Sequence, residues 1–265
     1  MMRCSLALLG RSLAPRRPLL FPALQLLPSH HAPVHSSTTA RDAAKAYLEK
    51  HEISVSDSEA PGPVLSFDES GLPSNLIQQL GTSFTTPTPI QAQGLPIVMD
   101  GRNLVGIAQT GSGKTLAFLL PALVHIAQQR EKGQVTGKFK GPNALILAPT
   151  RELAKQIEEV AVQFRRIAQI RTVCCIGGEN RGRQLGHYDN GAQLMIGTPG
   201  RINDFLEAGE ISLDNCSYVV LDEADRMLDM GFEPQVSSIL QSVRPERQTV
   251  MFSATWPEEV QVCAK

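Results

Sequence analysis

The sequence contains no apolar run long enough to span a bilayer, which takes about 18 residues. Its longest candidate, LAFLLPALVHIA, is interrupted by Pro121 and His125. The five cysteines show neither the spacing of a metal site nor that of a disulfide framework, and Cys174 and Cys175 stand in an apolar run typical of a strand. We therefore expect no membrane span, no cysteine-bound metal and a reducing compartment.

Acidic residues are missing from residues 1–41. Five of the 25 lysines and arginines lie there, all of them arginines, which leaves 20 basic residues against 26 acidic ones in the rest of the chain. This segment is also serine-bearing and weakly amphipathic, a composition typical of an organelle transit peptide. We expect a mitochondrial location, with a chloroplast as an alternative. A disordered tail on a nuclear or cytoplasmic protein is the other interpretation.

Residues 42–63 are polar and acidic and end in the turn-rich stretch EAPGP, which predicts a linker. From residue 64 onward, short apolar runs alternate with helix-length segments. Apolar runs without polar alternation predict strands buried on both faces. The alternation predicts an α/β fold, doubly wound around a mostly parallel sheet. The predicted strands are Asn103–Ile107, Ala144–Ala148, Thr172–Ile176, Gln193–Gly197, Tyr218–Asp222 and Thr249–Ser253.

Each predicted strand is followed by a polar cluster. In chain order, the clusters are a lysine-bearing loop, PTREL, GG, TPGR, DEAD and SAT. In open parallel sheets, ligands bind at the carboxyl ends of the strands. The sequence therefore predicts one ligand-binding edge that carries all six clusters.

The stretch AQTGSGKT resembles a phosphate-binding loop (P-loop), although Ala108 stands where the usual pattern has its first glycine. Gly111 and Gly113 allow backbone N–H groups to converge on phosphate oxygens at a helix N-terminus. Lys114 supplies a positive charge for the β- and γ-phosphates, and the Thr115 hydroxyl can ligate Mg²⁺. The preceding strand and the following helix-like run give this motif the context that it needs.

The stretch VVLDEAD supplies the acidic half of such a site. It places Asp222 at the end of an apolar strand, where a phosphate-loop enzyme presents a carboxylate to Mg²⁺. Glu223 can take the proton of an attacking water as a general base. An acidic cluster that merely stabilises a helix N-terminus is the alternative. Together with the loop, these residues predict that Lys114, Asp222 and Glu223 carry the chemistry.

These motifs, in this order, resemble the DEAD-box ATP-dependent RNA helicase family, in particular the branch whose cores read DEADRMLDMGFEPQ and RQTVMFSATWP. The resemblance runs from about Phe67 to Lys265. In this family the phosphate loop begins with alanine, so Ala108 is the family's own form. The resemblance implies a RecA-like domain over residues 64–265 that binds ATP and Mg²⁺. It also implies contact with single-stranded or short duplex RNA without sequence preference, by a protein that is monomeric.

The resemblance also implies roles for individual residues. Gln91 in FTTPTPIQ would hydrogen-bond the adenine, and Phe67 would pack near it. Asp225 would bond to the hydroxyls of Ser253 and Thr255 and so couple the nucleotide site to the RNA grip, with Ala254 in the same segment. The full set of implied nucleotide contacts is Phe84, Thr85, Thr86, Gln91, Ala108, Gln109, Thr110, Gly111, Ser112, Gly113, Lys114, Thr115 and Asp225.

The implied RNA contacts suit phosphate and 2′-hydroxyl groups rather than base edges. They are Pro149, Thr150, Arg151, Gly177, Gly178, Thr198, Pro199, Gly200 and Arg201. TPGR also fits a helix cap with proline in the first turn. We interpret Arg181 and Arg183 as part of a solvated loop, with contact to RNA as the alternative.

Helicases of this family have a second RecA-like domain that carries arginine fingers and half of the RNA clamp, and no part of this sequence resembles it. We therefore expect a fragment or a truncated gene product, with a natural one-domain protein as the alternative. Two classes of function remain: an enzyme that needs its second domain, or an ATP- and RNA-binding module without appreciable turnover. A small-molecule kinase would leave DEAD, SAT and PTREL without a role.

Overall fold

The computed structural model describes residues 4–7, 38–81, 84–131 and 141–255. Within these residues the strands are β1 (Cys4–Ala7), β2 (Ile53–Val55), β3 (Leu104–Ile107), β4 (Ala144–Leu147), β5 (Thr172–Cys175), β6 (Leu194–Gly197), β7 (Tyr218–Leu221) and β8 (Gln248–Ser253). The helices are α1 (Thr38–Lys50), α2 (Ser74–Leu80), α3 (Pro89–Met99), α4 (Lys114–Glu131), α5 (Arg151–Ala168), α6 (Arg181–Asp189), α7 (Pro199–Glu207), α8 (Ala224–Asp229) and α9 (Glu233–Ser242), with a 3₁₀ turn at Phe67–Glu69.

The strands form one sheet in the order β2-β1-β3-β8-β7-β4-β6-β5. The six strands from β3 to β5 are parallel, whereas β1 runs antiparallel to β3. All six predicted strands are present, with bounds that differ by a single residue at one end or the other. The prediction of an α/β fold with a mostly parallel sheet is therefore confirmed.

Two apolar cores cover the two faces of this sheet. Ile146 of β4 and Val220 of β7 pack into the core that helices α2 to α5 close. Their neighbours Leu145 and Val219 pack into the other core, which helices α6 to α9 close. All four side chains are fully buried. Burial on both faces explains why these strands appear in the sequence as unbroken apolar runs, and the arrangement is doubly wound.

The segment predicted as a linker, residues 42–63, differs from that expectation because it contains most of α1 and all of β2. Ala44, Tyr47 and Leu48 have the i, i+3, i+4 spacing of one helix face, and they pack on the core. Downstream, the Arg102 guanidinium pairs with the Asp57 carboxylate at 3.2 Å. The segment is thus attached to the domain.

Most of the predicted transit peptide, residues 1–41, lies outside the described residues. Its residues Cys4–Ala7 form β1, which pairs with both β2 and β3. In the described part of the chain, no helix is both long and apolar enough to cross a membrane.

Candidate nucleotide and nucleic-acid site

The phosphate loop connects β3 to α4. The Ala108 N–H donates to the Ser253 carbonyl at 3.0 Å and so continues the pairing of β3 with β8. Gly111 and Gly113 have φ angles of +77° and +91°, which favour glycine, whereas Ala108 has no positive φ. The alanine in place of the first glycine therefore causes no backbone strain, and its side chain is buried in the core.

Two polar groups of this loop fit an anionic ligand. Lys114 is only 6% exposed, and its ammonium donates to the Ala108 carbonyl at 3.1 Å across the inside of the loop. The Ser112 hydroxyl is buried and has no hydrogen-bond partner among the described residues. A buried hydroxyl without a partner is costly unless a ligand or water satisfies it. Gln109, Thr110 and Gly111 are exposed at the mouth of the loop.

Gln91 supports the phosphate loop. Its side-chain amide donates from Nε2 to the Gly113 carbonyl at 2.9 Å, while its Oε1 accepts from the Thr88 N–H at 3.0 Å. The side chain is 2% exposed. The structure therefore places the amide against the loop, whereas the family resemblance assigns it to the adenine. Thr88, which sequence reasoning overlooked, packs beside it at the start of α3.

A cavity of about 260 Å³ opens beside this segment. Its lining includes Phe67, Phe84 and Thr85, three residues that the resemblance assigns to the adenine region, together with Ile77 of α2. Phe67 is buried, whereas Phe84 is 40% exposed. Thr86 is exposed and does not line this cavity. The cavity thus contains two of the aromatic side chains that the resemblance assigns to the adenine, but neither Thr86 nor Gln91.

Two acidic residues, Asp222 and Glu223, follow β7 in buried positions, and the Lys114 charge acts on Asp222. Asp222 is 3% exposed, and burial raises its pKa to about 6 although the nearby Lys114 charge opposes this shift. Its Oδ1 accepts from the Glu223 N–H at 3.1 Å. Glu223 has a left-handed backbone with φ of 54°. Its Oε2 pairs with Arg226 Nη1 at 3.3 Å. Strained backbone of this kind is common at functional turns.

Mg²⁺ fits this donor set only together with a phosphate. A nearby cation would stabilise the ionised form of this buried carboxyl group and so lower its raised pKa. Among the described residues, no group of three or more acidic, histidine or cysteine side chains could hold a metal ion. A Mg²⁺ ion held by Thr115, in the first turn of α4, and Asp222 would therefore need further oxygen ligands from substrate phosphates and water.

Asp225 connects α8 to the segment after β8. Its Oδ2 accepts from the Thr255 hydroxyl at 2.8 Å and from the N–H groups of Thr255 and Ala254 at 2.9 and 3.2 Å. The Asp225 N–H donates to Ser253 Oγ at 3.3 Å. Burial raises the pKa of Asp225, but the hydrogen bonds from Thr255 and Ser253 outweigh this and lower it. The contacts implied by the resemblance are present.

The Arg151 side chain, which follows β4, reaches the segment that follows β5. Thr150 caps the N-terminus of helix α5, and its hydroxyl accepts from the Leu153 N–H at 3.2 Å. The Arg151 guanidinium then lies over the backbone of Gly177 and Gly178. A Cβ on Gly177 would lie 3.3 Å from Arg151 Nη2, and one on Gly178 would collide with Nη1. The two glycines are thus needed for this close approach.

A second arginine, Arg201, lies near the end of β6. Thr198 precedes α7 and Pro199 begins it, so the helix-cap interpretation of TPGR holds structurally. Arg201 Nη1 donates to Gln184 Oε1 at 3.1 Å, and its guanidinium lies 5.5 Å from the Phe205 ring centroid. Its Nε is buried without a partner in the described part of the chain. Gly200 has open space around its Cα.

Arg181 and Arg183 are not loop residues, because both belong to α6. Arg181 lies 4.6 Å from the Phe205 ring centroid and pairs with Glu210. Phe205 therefore supports two guanidinium groups, and sequence reasoning missed it. The i, i+4 spacing of Arg201 and Phe205 on one helix was the available signal.

Comparison with known proteins identifies the family of this chain. Residues 88–262, more than half of the chain, match the family model described as DEAD/DEAH box helicase. The chain belongs to this family. It is 48% identical over 238 residues to "DEAD-box ATP-dependent RNA helicase 14" of Arabidopsis thaliana, covering 89% of this chain and 38% of that protein. It is 46% identical over 254 residues to "ATP-dependent RNA helicase p62" of Drosophila melanogaster, covering 95% of this chain and 35% of that one.

Solved structures place the DEAD-box chain with RecA-like helicase domains. The RNA helicase Prp28 from Chaetomium thermophilum bound to ADP matches with a TM-score of 0.75 and 40% identity, over 83% of this chain and 53% of that one. A DEAD box protein from Methanococcus jannaschii matches with a TM-score of 0.68 and 33% identity, over 76% and 53%. The family and fold predictions are confirmed. The chain spans well under half of the curated relatives described above and about half of each solved chain.

Proposed function

We propose that this chain is the ATP-binding RecA-like domain of a DEAD-box RNA helicase and couples ATP hydrolysis to the remodelling of RNA duplexes. One observation carries the proposal. One edge of a single sheet carries three groups, because each of them follows a parallel strand. They are the phosphate loop, the buried Asp222 carboxyl and the arginines Arg151 and Arg201. The printed names of the relatives, and the ADP bound to the Prp28 structure, support the same function.

The nucleotide phosphates bind in the loop that begins at Ala108. There Lys114 exchanges its bond to the Ala108 carbonyl for the β- and γ-phosphates, and the unpaired Ser112 hydroxyl donates to a phosphate oxygen. Glu223 accepts the proton of the attacking water. Thr115 and Asp222 would hold Mg²⁺, which would supply positive charge to offset that of the phosphates.

RNA lies along the neighbouring strand ends and is held by its backbone. Arg151, Arg201 and the N–H groups at the starts of α5 and α7 meet phosphates, without contacts that read base edges. Asp225 links the RNA contacts to the nucleotide site. It lies two residues after the general base Glu223, and its carboxylate binds Thr255 in the segment after β8. A monomer is sufficient for these contacts.

An ATP- and RNA-binding module without appreciable turnover is the second candidate. Arg226, an arginine of this chain close to the proposed general base, forms an ion pair with Glu223. Stabilisation of the transition state by an arginine finger contributes a factor of roughly 10³–10⁵ in rate. Whether turnover appears when a second domain supplies such an arginine therefore distinguishes the module from the enzyme.

Steady-state ATPase assays distinguish the two candidates. The chain would be measured alone, with RNA, and with RNA plus the second RecA-like domain of a relative. Turnover that rises on addition of the domain, and falls about 10²- to 10⁴-fold in Glu223→Gln with ATP binding retained, is expected for the enzyme. Binding of ATP and RNA without turnover in any mixture would leave the module. Failure to bind either ligand would refute both.

We also propose import into mitochondria, which the arginine-rich, acid-free composition of residues 1–41 supports. Fusion of these residues to a fluorescent protein should direct it to mitochondria. Fluorescence in a chloroplast would revise the organelle, and diffuse or nuclear fluorescence would refute the proposal.

A further inference from the structure

The segment after β5 lies between the two arginine-bearing helix starts. Gly177 and Gly178 contact the Arg151 guanidinium at the start of α5. The next residue, Glu179, accepts through its carbonyl from Arg201 Nη1 at 3.5 Å. Glu179 therefore stands at the centre of the surface on which we place the RNA backbone, and it brings a negative charge there.

The Glu179 carboxylate is paired with Lys155. Its Oε1 lies 2.7 Å from Lys155 Nζ, and the two side chains are 46% and 52% exposed. The hydrogen bond to Glu179 raises the pKa of Lys155, and the bond from Lys155 lowers the pKa of Glu179. Both groups are therefore charged at neutral pH. The Arg183 charge acts on the same carboxylate.

Lys155 continues the row that Arg151 begins. The two residues are four apart on α5, a spacing that places side chains on the same helix face. A lysine ammonium binds carboxylate and phosphate oxygens through the same charge-assisted hydrogen bonds. An ion pair this exposed adds little net stability, because water solvates both groups well. A phosphate can therefore replace the carboxylate without disrupting the fold.

We propose that Lys155 is an additional RNA-phosphate contact, and that Glu179 occupies it in the RNA-free chain, so that RNA binding exchanges a carboxylate for a phosphate. This inference rests on the proposed RNA-binding function. Glu179 then acts as an internal competitor that weakens RNA binding at this edge. Phosphate contacts of this kind strengthen binding to any RNA sequence and are sensitive to salt.

The test is a titration of fluorescein-labelled single-stranded oligouridylate with the full chain, at several salt concentrations. Glu179→Gln should tighten binding by about 2- to 5-fold at low salt, and make the slope of log K against log salt steeper by up to about 0.7. Lys155→Gln in the Glu179→Gln background should abolish the gain. Glu49→Gln is the matched control, because it removes a glutamate from the Lys45–Glu49 pair on α1, beside the opposite end of the sheet, and makes the same change in net charge.

Each outcome decides the matter. A gain in Glu179→Gln that disappears with Lys155→Gln, and is not seen in Glu49→Gln, supports the exchange. Equal affinities for Glu179→Gln and the unaltered chain would overturn it and leave the RNA-binding proposal intact. If the gain in RNA affinity persists in the Glu179→Gln, Lys155→Gln double variant, or if Glu49→Gln reproduces it, the gain comes from reduced general repulsion. Either result would also overturn the proposed exchange. If the unaltered chain and Arg151→Ala bind equally weakly or not at all, the proposed function fails.

Discussion

The proposed nucleotide site and the proposed RNA-facing edge share one sheet but are built differently. At the nucleotide site, Lys114, Asp222 and Gln91 are nearly fully buried, and their polar atoms bond to the loop or the adjacent backbone. At the RNA-facing edge, the cations are partly exposed, and Arg151 rests on glycine backbone while Lys155 pairs with a carboxylate at the surface.

We attribute this difference in burial to the two proposed ligands, a nucleotide and an RNA strand. A buried charge interacts strongly with a phosphate, because little water screens it, and removing one partner of such a contact is costly. An exposed charge adds a modest, salt-dependent increment, so binding along a strand is spread over several contacts. Single substitutions should therefore have large effects at the first site and small ones at the second.

The largest effect is expected for Lys114→Ala. Removal of a buried charged partner of this kind costs roughly 2–5 kcal/mol, so affinity for an ATP analogue should fall by about 30-fold or more. Titration with a fluorescent analogue measures it. Lys45→Ala, which removes an exposed lysine from α1, is the control and should bind as the unaltered chain does. Equal affinity in Lys114→Ala would remove the loop from the site.

A smaller effect, on stability, is expected for Gly113→Ala. The added Cβ would lie 2.7 Å from Gln91 Nε2 and 2.9 Å from Thr88 Oγ1, at a φ of +91°. Gly111→Ala has a similar backbone strain, with φ of +77°, but open space around it. Urea unfolding should therefore show a loss of about 1–3 kcal/mol for Gly113→Ala and less for Gly111→Ala. The reverse order would contradict the packing of α3 against the loop.

The smallest effect is expected at the RNA-facing edge, for Gly178→Ala. Its Cβ would displace the Arg151 guanidinium, which is the end of a flexible side chain, so RNA affinity should fall only about 2- to 5-fold. Gly71→Ala has nearly the same φ, +74°, and no neighbour within 4 Å, so it controls for backbone strain. Fluorescence anisotropy with labelled RNA measures both. A loss as large as that of ATP binding in Lys114→Ala would remove the contrast between the two sites.

Local patterns in the sequence were sufficient for the sheet and for the loop. The six parallel strands were predicted because each is an apolar run buried on both faces, and the loop because its two glycines and its lysine lie within four consecutive residues. The partner of Gln91 was not predicted, since Gly113 is 22 residues away and the contact exists only after folding. The helix α1 was missed although Ala44, Tyr47 and Leu48 share a face, because the polar composition of the segment outweighed that spacing.

Arginine placement was predicted only in part. TPGR indicated a helix start, but the platform under its arginine is Phe205, and the second guanidinium on that ring comes from Arg181 of a different helix. Contacts between helices depend on how the sheet brings them together. Pattern analysis of one segment does not contain that information.

In our proposal, one sheet edge carries two separable phosphate-binding sites, a buried one for the nucleotide and an exposed one for RNA. Titration of the unaltered chain, Lys114→Ala and Arg151→Ala, each with a fluorescent ATP analogue and with labelled single-stranded RNA, tests this separation. We expect Lys114→Ala to bind the nucleotide about 30-fold or more weakly and to keep its affinity for RNA, whereas Arg151→Ala should keep its affinity for the nucleotide and bind RNA a few-fold more weakly, with a shallower salt slope. Loss of both ligands in either variant, or of neither in both, would contradict it.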